Sequence, residues 1–125
     1  MTILDDHPTS ISGALDALVR DVLADQAYPE RVEVCIHTVA SDVIRRHNAD
    51  AFGKDQPTDV VSFPLEDLSP GVAPTVDSLG PPLVLGDVFI APEVVAERAA
   101  QHGYDPDAET ALMAVHGVLH LMGYD

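Results

Sequence analysis

The chain has 125 residues, of which 46% are hydrophobic, and a formal net charge of −15 from 21 acidic and 6 basic side chains. This length and apolar content suffice for one domain with a hydrophobic core. The charge excludes a surface that binds nucleic acid by general electrostatic attraction, because such a surface needs clustered cations; we expect the acidic excess to be solvated surface.

The first half of the chain predicts two helices around one strand. Apolar residues recur with a helical period over residues 11–25, which predicts an amphipathic helix packed on the core. Tyr28-Pro29-Glu30 ends this helix, and over residues 32–37 apolar and polar positions alternate, which predicts a half-buried strand. A short helix is predicted from Ser41 to about Asn48.

The second half predicts two strands followed by two helices. The first strand covers residues 58–63, after a turn at 53–57, and Pro64 closes it. A long loop rich in proline and glycine follows, and the next strand covers residues 83–90. The last predicted elements are a helix from Pro92 to about Gln101 and a helix that opens at Asp105-Pro106 and continues through Met122.

These elements predict an α+β fold. The order helix, strand, short helix, strand, strand, helix, helix indicates a small mixed β-sheet covered by helices, in a single domain over residues 1–125. Asp87 lies inside an otherwise apolar strand, so it needs either an edge position or a hydrogen-bond partner.

The strongest chemical signal lies in the last predicted helix. His116 and His120 are four residues apart, so they share one helix face, and two imidazole nitrogens can approach the same metal ion. Apolar neighbours are expected to hold the rings in a dry frame: Val115, Val118, Leu119 and Leu121. The same spacing is also typical of packed or surface histidines. The metalloprotease pattern H-E-x-x-H does not apply, because Gly117 stands where its glutamate base would be.

Three segments in this order and spacing resemble the YbeY family of bacterial ribosomal-RNA maturation factors. They are Pro-Thr-Asp-Val-Val-Ser-Phe-Pro at 57–64, Leu-Gly-Asp-Val-Phe-Ile at 85–90 and His-Gly-Val-Leu-His-Leu-Met-Gly-Tyr-Asp at 116–125. The resemblance covers nearly the whole chain. It implies a metal-binding helix at the C-terminal end of the fold and one zinc ion held by three histidines in the pattern H-x-x-x-H-x-x-x-x-x-H. It also implies a single-strand-specific endoribonuclease that matures the 3′ end of 16S rRNA and acts in ribosome quality control.

The family's functional positions carry over in part. His116 and His120 match the first two zinc ligands, whereas the third would fall one residue after Asp125, and family members continue beyond it. The family's arginine falls at Phe52, with Lys54, or Arg45 and Arg46, as candidates to replace it. The domain is therefore expected to lack the family's C-terminal end, and both departures bear on catalysis.

The resulting hypothesis is metal-assisted hydrolysis of a phosphodiester. Thr58, Asp59, Ser62 and Asp87 are expected to line the cleft rather than to bind metal, with strand-end hydrogen bonding and backbone capping as the alternative roles. No general base is assigned, and the remaining histidines are candidates without further support: His7, His37, His47 and His102.

The expected partners are ribosomal RNA and the small ribosomal subunit. Because the net charge disfavours unaided RNA binding, a ribosomal or accessory protein is expected to present the substrate. Two alternatives stay open: a ribosome-assembly adaptor whose histidines are structural, and a metallohydrolase that acts on another substrate.

The expected location is the cytoplasm, with no membrane association. The single cysteine, Cys35, excludes an internal disulfide and fits a reducing compartment. No stretch approaches the apolar length of a membrane span, and residues 1–6 have neither the basic start nor the apolar segment of a secretory signal.

Overall fold

Four strands and four helices make up the fold. The computed structural model of the protein describes residues 2–5, 12–53, 58–77 and 79–124. In chain order, the elements are β1 (Thr2–Asp5), α1 (Ser12–Asp25), β2 (Val32–Thr38), α2 (Ser41–Phe52), β3 (Val60–Pro64), β4 (Leu83–Ile90), α3 (Pro92–His102) and α4 (Pro106–Leu121).

The strands form one mixed sheet in the order β1-β2-β4-β3. β1 pairs with β2 and β2 pairs with β4 in parallel, whereas β3 pairs with β4 antiparallel. β3 is therefore an edge strand of this sheet. The predicted α+β class and the mixed sheet are confirmed.

The main core lies between one face of the sheet and helices α1 and α4. In β2, the buried side chains alternate with half-buried ones, because successive strand residues point to opposite faces. Val34 and Ile36 of β2 and Val88 of β4 are fully buried, together with Leu15 of α1 and Val118 of α4. This packing fixes α4 against β3 and β4.

A smaller apolar cluster lies on the other face of the sheet, under α2. Ile44 of α2 packs there with Val61 of β3 and with Ala91 and Val94 at the start of α3. β3 is thus covered by α4 on one face and by α2 on the other, which leaves its outer edge between these two helices.

The strand predictions are correct except at three points. The sequence did not predict β1, a strand of only four residues that forms by parallel pairing with β2. β3 begins two residues later than predicted and includes Pro64, which an edge strand tolerates because its outer N–H has no ladder partner. Of the predicted turn at 53–57, residues 54–57 lie outside the described residues.

The helix predictions are correct in number and close in their bounds. α2 continues to Phe52, four residues beyond the predicted end, until Gly53 closes it at φ 67°. Asp105 occupies the N-cap position of α4, but its side chain makes no capping hydrogen bond. Among the helices that the structure describes, none has the length and apolar content needed to cross a membrane.

Candidate functional site

The solvent-facing side of α4 carries the two predicted metal ligands. The Nε2 atoms of His116 and His120 are 3.1 Å apart, and the ring centroids are 4.6 Å apart. Both side chains are exposed, whereas Val118 and Leu121 are buried in the main core. The expectation of a dry apolar frame is therefore wrong, because these two neighbours face the sheet while the histidines face solvent.

Close packing at Gly117 places the histidine pair beside β3. A Cβ atom on Gly117 would lie 2.5 Å from Cγ1 of Val88, 3.1 Å from Oγ of Ser62 and 3.3 Å from Cγ2 of Val60. The Ser62 hydroxyl donates a hydrogen bond to the Gly117 carbonyl oxygen at 3.0 Å. The residue next to His116 is thus in direct contact with the edge strand.

A recess of about 320 Å³ lies where α4, β3 and α2 meet. Its lining residues are His116 and His120 of α4, Asn48 of α2, and Thr58, Val60, Val61 and Ser62 on and before β3. Among the described lining residues, the two histidines are the only ones with a titratable side chain. The part of the recess that the structure describes can therefore accept a polar group without a carboxylate to repel it.

His120 also borders a second recess of about 280 Å³ that has the opposite electrostatic character. Glu66 and Asp67, from the segment after β3, lie along it together with Gly123 and Tyr124. The described residues form a larger recess of about 510 Å³ at the end of α1, but it contains none of the predicted site residues.

Asp59 braces the start of β3 rather than lining the recess. Its Oδ2 atom lies 2.8 Å from Nη1 of Arg98 on α3, in a half-exposed ion pair. Its Oδ1 atom accepts the Val60 backbone N–H at 2.9 Å and a longer contact from the Thr58 hydroxyl at 3.4 Å. The carboxylate therefore caps and anchors the segment that carries Thr58 into the recess.

Asp87 lies on the opposite face of β4 from α4, apart from the histidine pair. Its Oδ1 atom is 2.8 Å from Nε2 of His37 on the central strand β2, and the His37 ring stacks on Phe89 with centroids 4.2 Å apart. Asp87 thus has the hydrogen-bond partner that its place in the strand required. Burial, and next the charges of Asp87 and Glu33, raise the pKa of the Cys35 thiol on this face, so Cys35 favours its protonated form.

The other candidate bases and cations that the structure describes do not line the recess. The His47 ring packs at 4.2 Å from the Phe89 ring, and His102 stacks near Tyr104 beside α3. Arg45 and Arg46 are exposed on α2 and do not contribute to the recess lining. His7, Lys54 and the Phe52 side chain lie outside the described residues.

The two Nε2 atoms lie close enough to bind one metal ion, but two ligands do not complete a metal site. Within the described ranges, no group of three or more histidine, cysteine, aspartate and glutamate side chains is placed to hold a metal ion. The pair can supply two nitrogen ligands, and the remaining ligands must come from elsewhere.

Sequence reasoning missed one polar residue of the recess, Asn48. It is 7% exposed, and the packing of α2 on β3 brings it into the recess. A polar side chain on the inward face of an amphipathic helix was the available signal, since Ile44, one turn earlier, faces the core.

The fold and the site define an α+β protein with a helix-borne histidine pair at the edge of a mixed sheet. The family model of endoribonuclease YbeY matches residues 4–125 of the chain. The chain belongs to the endoribonuclease YbeY family.

The alignments with individual relatives cover most of this chain and most of each relative. The chain is 35% identical to endoribonuclease YbeY of Halalkalibacterium halodurans over an alignment of 125 positions, which covers 96% of this chain and 79% of the relative. It is 42% identical to endoribonuclease YbeY of Geobacillus thermodenitrificans over 111 residues, 89% of this chain and 70% of the relative. The solution structure of a Thermotoga maritima protein matches with a TM-score of 0.64 at 25% identity and covers 99% of this chain and 72% of that one.

Proposed function

We propose that this chain is a zinc-dependent endoribonuclease that cleaves single-stranded ribosomal RNA during maturation of the 16S 3′ end and during ribosome quality control. The observation that carries the proposal is the histidine pair of α4 in a member of the endoribonuclease YbeY family; the pair opens onto a recess whose described lining residues include no carboxylate. A role on ribosomal RNA would place the protein in the cytoplasm.

The geometry of the pair is compatible with zinc. Two nitrogens at zinc–nitrogen distances of about 2.0–2.1 Å and a tetrahedral angle lie roughly 3.3 Å apart. The Nε2 atoms of His116 and His120 are 3.1 Å apart. When bound, a zinc ion supplies Lewis-acid chemistry to a phosphodiester and makes water a better nucleophile.

The residues around the pair determine how a substrate fits. An RNA phosphate can enter the recess beside β3, because none of its described lining residues is a carboxylate. Glu66 and Asp67 repel a phosphate from the recess on the other side of His120. The recess, of about 320 Å³, is small compared with a base-paired duplex, and this size supports the proposed preference for a single strand.

A partner is required because the chain as a whole is acidic. Phosphate contacts from cationic side chains supply most of the nonspecific affinity for RNA, and this chain has 6 lysines and arginines against 21 acidic residues. We assign substrate presentation to the small ribosomal subunit, through its RNA or through a ribosomal or accessory protein.

The test combines metal analysis with cleavage of a single-stranded RNA that carries the 16S 3′-end sequence. The wild-type protein should hold about one zinc ion, and His116→Ala or His120→Ala should lose it, since both are ligands. Cleavage should fall at least about 100-fold in either variant, because removing even the outer hydrogen-bond partners of ligands costs 10–100-fold. His102→Ala, which changes an exposed histidine on α3, is the matched control and should keep both properties.

Two results would favour the alternatives. Binding to small-subunit particles that survives both histidine variants, without any RNA cleavage by the wild type, would indicate an assembly adaptor. Chelator-sensitive hydrolysis of another phosphoester, again without RNA cleavage, would indicate a metallohydrolase of a different substrate.

A further inference from the structure

The outer edge of β3 carries hydrogen-bonding groups that face the recess. β3 pairs with β4 on one side only. The Ala91 N–H donates to the Asp59 carbonyl oxygen at 3.0 Å, and the Leu65 N–H donates to the Leu85 carbonyl oxygen at 2.9 Å. The backbone N–H and C=O groups of successive residues point to opposite edges of a strand, so those of Val61 and Phe63 also point toward β4. The backbone groups of Val60, Ser62 and Pro64 point away from β4.

The recess lies directly over this outer edge. Val60 and Ser62 contribute to it from the face that packs on α4, and Val61 contributes from the face that packs on α2. His116 and Asn48 complete it from the two helices. Because the recess is lined from both faces of this edge strand, we expect the strand's outward N–H and C=O groups to open into it.

Of the three outward positions, only Ser62 offers an N–H to a ligand. The Val60 N–H is taken by the Asp59 carboxylate at 2.9 Å, and Pro64 has no N–H. No hydrogen bond joins the Ser62 N–H to another residue in the described ranges. The Ser62 side chain is turned toward Gly117, so it does not cover its own backbone N–H.

This pattern suits a phosphate rather than a polypeptide. An added β-strand needs a series of alternating donors along the edge, and two of the three outward positions here cannot donate. A single phosphate oxygen needs one donor, and a charge-assisted bond from a backbone N–H is a strong one. The lining residues that the structure describes include no lysine or arginine for this purpose.

From these observations we infer that the backbone N–H of Ser62 binds a phosphate oxygen of the RNA strand and positions it beside His116 and His120. The inference takes its substrate class from the proposed function. It adds a substrate-binding group that any residue except proline at position 62 would provide. It also explains how an acidic protein holds an anionic strand at its cleft: the donor is a neutral dipole of the edge strand and not a cationic side chain.

The direct test is a ¹⁵N–¹H NMR titration of the whole chain with uridine 3′-monophosphate, which has no phosphodiester to cleave. The Ser62 amide proton should move downfield with a saturable curve, and the Val61 and Phe63 amides, which face β4, should move much less. Uridine, which lacks the phosphate, is the control and should leave the Ser62 amide in place. The inference would be overturned if the Ser62 amide signal did not move at saturation, or if uridine moved it equally. It would also be overturned if an extended peptide moved this signal and uridine 3′-monophosphate did not.

A pair of variants measures the contribution of the N–H. Ser62→Ala and Ser62→Pro both remove the hydroxyl, but only the proline variant also removes the N–H. Single-stranded RNA should bind to Ser62→Pro about 10-fold or more weakly than to Ser62→Ala, which corresponds to the loss of one hydrogen bond to a charged group. Equal affinities in two folded variants would overturn the inference.

Proline imposes a φ that differs from that of an antiparallel strand, so folding of both variants must be checked. Thermal melts provide this check. If Ser62→Pro does not fold, the titration of the wild type decides alone. The titration needs no cleavage, so a Ser62 amide that responds to phosphate in a protein without ribonuclease activity would refute the proposed function and leave the phosphate site standing.

Discussion

Gly117 shows how a single residue sets the distance between the histidine pair and the sheet. It lies between His116 and His120 in α4, and the atoms of β3 and β4 leave no room for a Cβ there. Since the helix approaches this closely only without a side chain at position 117, the glycine brings both histidines to the edge of β3. The glutamate of a metalloprotease motif at this position would meet Val88 and Ser62.

We expect Gly117→Ala to destabilise the protein by about 1–3 kcal/mol, because the added methyl group overpacks the contact with Val88. The measurement is urea unfolding. The control is Gly13→Ala in α1, where a Cβ meets nothing within 4 Å and where alanine should be neutral or stabilising by up to about 1 kcal/mol. Equal stabilities for both variants would contradict the tight contact at Gly117.

Two of the contacts that hold the segment between β3 and β4 involve residues next to β2 and α4. The Arg31 guanidinium, just before β2, donates to the Gly80 carbonyl oxygen. The Leu68 backbone packs on Gly123, where a Cβ would lie 2.2 Å from the Leu68 oxygen. The loop predicted from its prolines and glycines is present between these strands. The part of the loop next to β3 borders the second recess, of about 280 Å³, with Glu66 and Asp67.

Arg31→Ala should speed proteolytic cleavage within residues 65–82 several-fold while changing the free energy of unfolding by less than about 1 kcal/mol, since a partly exposed polar contact contributes little globally. Limited proteolysis with mass-spectrometric mapping gives the cut sites. Arg20→Ala is the matched control, because Arg20 pairs with Asp16 on the exposed side of α1. Equal cleavage rates in the two variants would show that Arg31 does not fasten the loop.

The charge of the whole molecule governs how it meets RNA. The described lining of the recess has no carboxylate, lysine or arginine, but it lies within a chain of net charge −15. Binding through backbone and neutral donors releases few counterions, whereas the protein's net charge repels the strand at long range.

Affinity for a single-stranded RNA should therefore be weak and should depend little on salt, with a log–log slope shallower than about −1.5, equivalent to no more than two neutralised phosphates. Fluorescence anisotropy between low and moderate salt gives the slope. A basic single-strand-binding protein measured with the same RNA provides the reference for a steep slope. Tight binding that falls steeply with salt would show a cationic RNA surface and would remove the reason for a partner.

The sequence by itself determined the class of fold, the helix that carries the histidine pair and the family. These features depend on local patterns: apolar periodicity over α1, alternation in β2, and the H-x-x-x-H spacing on α4. The end of α3 before Gly103 was also predicted to within a residue, because a residue with positive φ is usually glycine, whereas α2 was predicted to end four residues too early.

Only the tertiary structure decided which polar residues meet. Asp59 and Asp87 look alike in sequence, because each is an acidic residue at or in a strand. In the structure, Asp59 pairs with Arg98, whereas Asp87 pairs with His37 on the face of the sheet opposite α4. Asn48 reaches the recess because α2 packs over β3, and the Ser62 N–H faces outward because β3 is an edge strand. Strand order and register arise from contacts between residues far apart in the chain, so no local pattern encodes them.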